Sequence, residues 1–160
     1  MSFSIRTFKD DDANELWELH SATLAASGFP LAVAEWDSDL HAIKENYVDT
    51  GGGFLVVEDE DRRLIGMGGF VPLPSDSKSA ELKRVRVHPE FQRQGIGEVL
   101  LGALESAALK AGFSRLQLDT ANGKIQSFYL KNGYRFVRKE FESSYEFFFY
   151  EKLLLSPIQN

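Results

Sequence analysis

The sequence predicts an α/β (α+β) fold: a single domain over residues 1–160 whose mixed, largely antiparallel sheet is flanked by helices. Three observations carry this. Residues 54–73 and 134–155 each read as two strands joined by a turn, which implies antiparallel pairing. The second half alternates strand, helix, strand, helix, strand, which implies parallel neighbours. No linker, repeat or low-complexity tract divides the 160 residues, a length that suits one core.

Phe3, Ile5 and Phe8 mark a short first strand. Asp12-Ala13-Asn14-Glu15 has the form of a capping box opening a helix through Leu16, Trp17, Leu19 and His20, broken at Gly28-Phe29-Pro30. A second helix is expected over residues 33–48, ended by Gly51-Gly52-Gly53. A strand from Phe54, an acidic turn at residues 58–61 and a return strand over residues 64–73 form a hairpin. Gly66, Gly68 and Gly69 inside that return strand signal a bulge, a close backbone approach or tight packing. Residues 75–79 read as a loop.

The strand over residues 80–87 breaks alternation, with Leu82 on one parity and Val85 and Val87 on the other. Either a bulge near Lys83-Arg84 brings all three to one side, or both faces are partly buried. Ile96, Val99, Leu100, Ala103, Leu104, Ala107 and Ala108 recur at helical spacing up to Gly112. Leu116 and Leu118 mark a strand, residues 122–132 a helix closed by Gly133, and residues 134–137 and 145–155 a terminal antiparallel pair. Phe147-Phe148-Phe149-Tyr150 is apolar on both faces, which fits a central strand, a packed strand or a homodimer contact.

Hydrophobic residues at 43% and charged residues at 26% are the mixture of a soluble globular chain. A formal charge of −6 opposes a nucleic-acid-coating surface and agrees with a cationic substrate. The absence of cysteine excludes disulfides, thiolate zinc sites and cysteinyl intermediates. His20, His41 and His88 have no metal-ligand spacing, so no metal is expected. Ser127 has no nearby His/Asp pattern for a serine acyl-enzyme. No apolar run is long enough to span a bilayer and no leader is evident, so a cytoplasmic location without a membrane partner is expected.

Chemistry concentrates at Gln92-Arg93-Gln94-Gly95-Ile96-Gly97, which stands between a strand and a helix. Glycines at such a junction leave backbone N–H groups bare where the helix dipole adds positive potential, an arrangement that holds phosphate. Two glycines fall short of a dinucleotide fingerprint, although Asp119 lies near the offset of its acidic residue. Glu98 after Gly97 departs from a P-loop. On its own the stretch admits both a phosphate site and an ordinary glycine-rich turn.

The run Glu81-Leu82-Lys83-Arg84-Val85-Arg86-Val87, with His88-Pro89 and the glycine loop behind it, resembles the acyl-CoA motif of the GNAT N-acetyltransferase superfamily. Asn122, Phe128-Tyr129 and Gly133-Tyr134 are similar to that family's second signature, with Ile125 where alanine is frequent. Together the two motifs cover about residues 80–137. The resemblance implies a GNAT-like fold and an acetyl-CoA-dependent transfer to a primary amine of a small molecule or a peptide N-terminus, without nucleic acid. It implies that Val85, Arg86 and Val87 offer backbone to the pantetheine arm. Gln92, Arg93, Gln94, Gly95, Ile96, Gly97 and Glu98 would surround the pyrophosphate, and Asn122 would lie on the pantetheine side. Tyr129 would protonate the leaving thiolate; by periodicity alone it reads as core. Glu81, eleven residues before Gln92, would deprotonate the amine. Otherwise Glu81 is an edge glutamate or an ion-pair partner of Lys83 or Arg84. Gln117 stands where other members carry a glutamate and cannot serve as base, which leaves Asp119 as a weaker alternative. Phe29, Trp36, Asp37, Asp39 and Tyr145 are possible acceptor-lining residues, though each also reads as ordinary helix or strand content.

Overall fold

The computed structural model describes residues 2–28, 38–121 and 123–154. Strand β1 (Phe3–Thr7) leads through a short turn into helix α1 (Ala13–Ser27), which ends at Gly28 with φ 81°. The expected capping box does not form. Asp12 already has helical backbone angles, so its carboxylate does not fold back onto the helix start. Instead it accepts hydrogen bonds from the Arg6 guanidinium at 2.9 Å and from the Lys9 N–H at 2.8 Å. Glu15 accepts from the Leu64 N–H at 2.7 Å and ties α1 to the sheet.

Residues 29–37 of the expected second helix, with Phe29, Trp36 and Asp37, lie outside the described residues. The remainder is not an α-helix: Ser38–His41 is a 3₁₀ turn and Lys44–Val48 a π turn. The wider turn places the Tyr47 ring in the core, edge-on to Phe54.

Strands β2 (Gly53–Asp59), β3 (Leu64–Leu73) and β4 (Asp76–Val87) run antiparallel in succession. The loop expected over residues 75–79 is largely strand. Leu73 faces Asp76 across a two-residue turn, and the Asp76 carboxylate accepts from the Lys78 N–H and the Ser79 hydroxyl. Gly69 is required by packing: a Cβ there would stand 2.6 Å from Phe54 and 2.7 Å from Tyr47.

After a turn at Pro89–Phe91 come helix α2 (Ile96–Lys110) and β5 (Arg115–Thr120). Helix α3 (Gln126–Lys131), shorter than expected and preceded by a 3₁₀ turn, leads to β6 (Arg135–Glu142) and β7 (Tyr145–Leu153). The seven strands lie in the order β1-β2-β3-β4-β5-β7-β6. Among the described strands only β4 and β5 pair in parallel, because β7 rather than β6 takes the place beside β5.

The sheet separates two apolar cores. On one face Ile96, Leu100, Leu101 and Leu104 of α2 and Tyr129 of α3 pack on Ala80, Leu82, Leu116 and Leu118. On the other, Leu16 and Leu19 of α1 pack with Leu40, Ile43 and Tyr47 against Phe54, Val56 and Met67. Residues 147–150 lie on a strand flanked by β5 and β6, as a central strand requires.

Candidate active site

Two irregularities in β4 build the site. The first is a bulge. Met67 faces Arg86 and Gly69 faces Lys83, so Arg84 and Val85 share the place opposite Gly68. Arg84 takes the left-handed backbone region, φ 61°. The extra residue turns Val85 and Val87 to the α2 face with Leu82, which resolves the parity break in favour of a bulge.

The second is a parting of strands. β4 pairs with β5 only at Ser79–Arg115, Ala80–Leu116 and Glu81–Gln117, yet β4 continues to Val87 and β5 to Thr120. Beyond Glu81 the β4 backbone therefore faces a gap in the sheet. A cavity of about 1310 Å³ opens there. Val85, Val87, Phe128 and Tyr129 line it from the α2–α3 side; Glu81, Lys83, Thr23 and Leu24 line it from the α1 side. The cavity thus runs through the sheet.

At one end of the cavity lies the glycine loop. His88 Nδ1 accepts from the Glu90 N–H, and the Gln92 side-chain amide donates to the Val87 carbonyl at 2.9 Å. Gly95 begins α2 in the left-handed region, φ 83°, with nothing within 4 Å of the place of a Cβ. The first N–H groups of α2 have no carbonyl one turn before them. Arg93, Gly95, Gly97 and Glu98 line the cavity beside those groups. Gln94 is exposed away from the cavity wall, and Ile96 sends its side chain into the core. Asn122 lies outside the described residues.

Tyr129 is buried, its ring edge-on to Phe128 and Tyr134. The other buried tyrosines commit their hydroxyls: Tyr47 to Asp39, Tyr134 to Glu105 and Tyr150 to Gln126. The Tyr129 hydroxyl makes no such bond among the described residues. Burial pushes it up to about 12, with the Arg86 charge opposing, so it stays protonated at neutral pH.

Glu81 shares a sheet face with Gln117 and, two residues on, Asp119. Burial raises the Glu81 carboxyl above its ordinary value; Lys83 opposes the rise and Asp119 adds to it. Asp119 is raised for the same first reason, with Glu142 contributing. Among the described residues Glu81 makes no close ion pair: Lys83 acts on it only through its charge, and the Arg84 guanidinium is held by Asp39 at 2.6 and 3.1 Å. Asp39 is thereby taken from the acceptor wall, whereas Tyr145 lines the cavity. Glu142 and the C-terminal turn of α1 line it too; the first helix and the final strands are where the resemblance implies an acceptor wall, but nothing local in a strand end or a helix end signals which of their residues meet the cavity.

The three histidines serve structure: His20 and His41 pack on Trp17, and His88 caps the turn. No described helix is long and apolar enough to cross a membrane.

The model of the acetyltransferase (GNAT) family matches residues 13–134. Human N-acetyltransferase 8 is 29% identical over 92 residues, 56% of this chain, and the chain spans 40% of that relative's length. The structure of a GNAT-family acetyltransferase from Staphylococcus aureus Mu50 superposes with a TM-score of 0.85 at 21% identity, covering 96% of this chain and all of the other. The PaiA N-acetyltransferase of Thermoplasma acidophilum, solved in complex with coenzyme A, gives a TM-score of 0.73 at 25% identity over 96% of this chain and 99% of its own. A family match over residues 13–134, which include the two strands that bound the gap and the glycine loop, makes this chain a member of the acetyltransferase (GNAT) family.

Proposed function

We propose that this protein is an acetyl-CoA-dependent N-acetyltransferase that acetylates a primary amine, of a small molecule or a peptide N-terminus, by direct transfer in a ternary complex. The observation that carries the reading is the cavity through the sheet, which Tyr129 lines from one face and Glu81 from the other. Its donor end fits coenzyme A. The β4 edge at Val85–Val87, which has no β5 partner and whose Val87 carbonyl now accepts from the Gln92 side chain, suits the amides of a pantetheine arm, as it would suit another strand. The bare α2 start, with Arg93 beside it, suits a pyrophosphate. Bound acetyl-CoA supplies an acetyl group activated as a thioester.

The remaining work falls to side chains and backbone. An alkyl ammonium, pKa ~10.4, must lose a proton before it attacks, and Glu81 accepts it, directly or through water. A backbone N–H near Val87 stabilises developing negative charge on the carbonyl oxygen. The Tyr129 hydroxyl, uncommitted and protonated, donates to the departing sulfur. Ser127 lines the cavity, but the three histidines pack or cap elsewhere and the chain has no cysteine, which supports direct transfer over an acyl-enzyme.

Thiol release from acetyl-CoA, screened across amines, amino acids, polyamines and peptides, tests the reading. Turnover of at least one class is expected, and Tyr129→Phe should slow it about a hundredfold while CoA affinity holds within about twofold. Tight CoA binding without turnover of any amine would instead mark a non-catalytic acyl-CoA-binding domain.

A further inference from the structure

Arg84 holds the least favourable backbone conformation in β4, since a left-handed residue other than glycine, asparagine or aspartate is disfavoured. It is also the residue on which the site's geometry turns. Removing the bulge would shift Val85 and Val87 by one place and point them away from the core they now pack against. The backbone presented to the gap would change with them.

A specific device holds this conformation. The Arg84 guanidinium donates from Nε to one Asp39 oxygen at 3.1 Å and from a terminal nitrogen to the other at 2.6 Å. A two-point pair of this kind fixes the direction of the side chain as well as its distance. Asp39 is fixed in turn, because the Tyr47 hydroxyl donates to it and the Tyr47 ring is fully buried against Phe54. The 3₁₀ turn carrying Asp39 lies on the α1 side of the sheet, so the pair anchors the bulge to the wall opposite the donor-binding face.

We propose that Arg84 and Asp39 are positioning residues: their ion pair holds the β4 bulge in register so that the Val85–Val87 backbone is presented to the gap between β4 and β5. Neither group needs to touch the reacting atoms. The inference rests on the acetyl-transfer reading only for its kinetic readout.

The test compares Arg84→Ala, Arg84→Gly and Asp39→Asn. Alanine loses the pair and keeps the unfavourable backbone; glycine loses the pair but adopts the left-handed region without penalty. Arg84→Ala and Asp39→Asn should lower kcat about tenfold with a smaller change in the amine KM, and Arg84→Gly should turn over several-fold faster than Arg84→Ala. A glycine variant no faster than the alanine variant would overturn the proposal and assign the guanidinium a direct role. CoA affinity, measured by calorimetry on the same proteins, should follow the same order. If the wild-type protein acetylates nothing, the functional reading fails while that affinity order still decides the positioning role. Thermal melts separate the two effects: lowered stability with unchanged kcat and CoA affinity would leave the pair a purely structural contact and refute the proposal. Should Arg84→Ala not fold, Asp39→Asn and Arg84→Gly decide between these outcomes by the same affinity and turnover readouts.

Discussion

Glu81 has the properties a base of this kind requires: a carboxyl raised by burial, facing the cavity, with no ion-pair partner among the described residues. Because its ordinary value of 4.5 is raised, the carboxylate form is lost as pH falls through that higher value. The acid limb of kcat/KM should therefore lie above pH 4.5, and Glu81→Gln should lower the rate and abolish that limb. An unchanged limb in Glu81→Gln would pass the role to Asp119, which faces the same cavity. Tyr129, pushed up to about 12, adds no alkaline limb near neutrality. The family resemblance pointed to Glu81 and Tyr129 as candidates, and both line the cavity. The company they keep was not legible in the sequence. That Asp119 raises the Glu81 carboxyl, and Glu142 that of Asp119, depends on strands brought side by side by the fold. That Asp39 relieves Glu81 of Arg84 depends on contacts 45 residues apart.

Among the elements, strands and long helices followed their apolar periods closely, and the departures have local causes. The 3₁₀ and π turns of residues 38–48 replace an expected helix because Tyr47 packs against Phe54 and its hydroxyl meets Asp39. Asp12 and Glu15 look like a cap in one dimension but serve Arg6, Lys9 and the Leu64 amide in three. The glycine loop offers a clean test of what an element's first residue contributes. Gly95→Ala meets no atom, so its cost is conformational: about 1 kcal/mol in urea unfolding, with weaker CoA binding as the α2 start shifts. Gly69→Ala meets two rings instead and should cost about 1–3 kcal/mol. A Gly95→Ala protein with native stability and native CoA affinity would show that the left-handed start of α2 is dispensable.

At the scale of the molecule, stability against acid should depend on the Arg6–Asp12 pair, which joins β1 to the start of α1. Hydrogen bonding to Arg6, against the opposing effect of burial, holds the Asp12 carboxyl below its ordinary 3.8. A depressed carboxyl contributes stability above its unfolded value and loses it as pH falls through the folded one. The melting temperature should fall as pH drops below about 4, and Asp12→Asn should lower it at neutral pH while flattening that dependence. Equal acid slopes for the two proteins would count against the pair.

Among the described residues, three pairs between β4 and β5 are all the strand pairing that joins a four-strand slab to a three-strand slab. The slabs are each stitched by long antiparallel ladders, while the strand pairing between them is short. A molecule wedged into the opening would touch both slabs and act as a missing length of ladder. Deuterium uptake should therefore slow on CoA addition at amides flanking the seam, in Lys83–Val87 of one slab and Leu118–Thr120 of the other, with little change at β1 or β6.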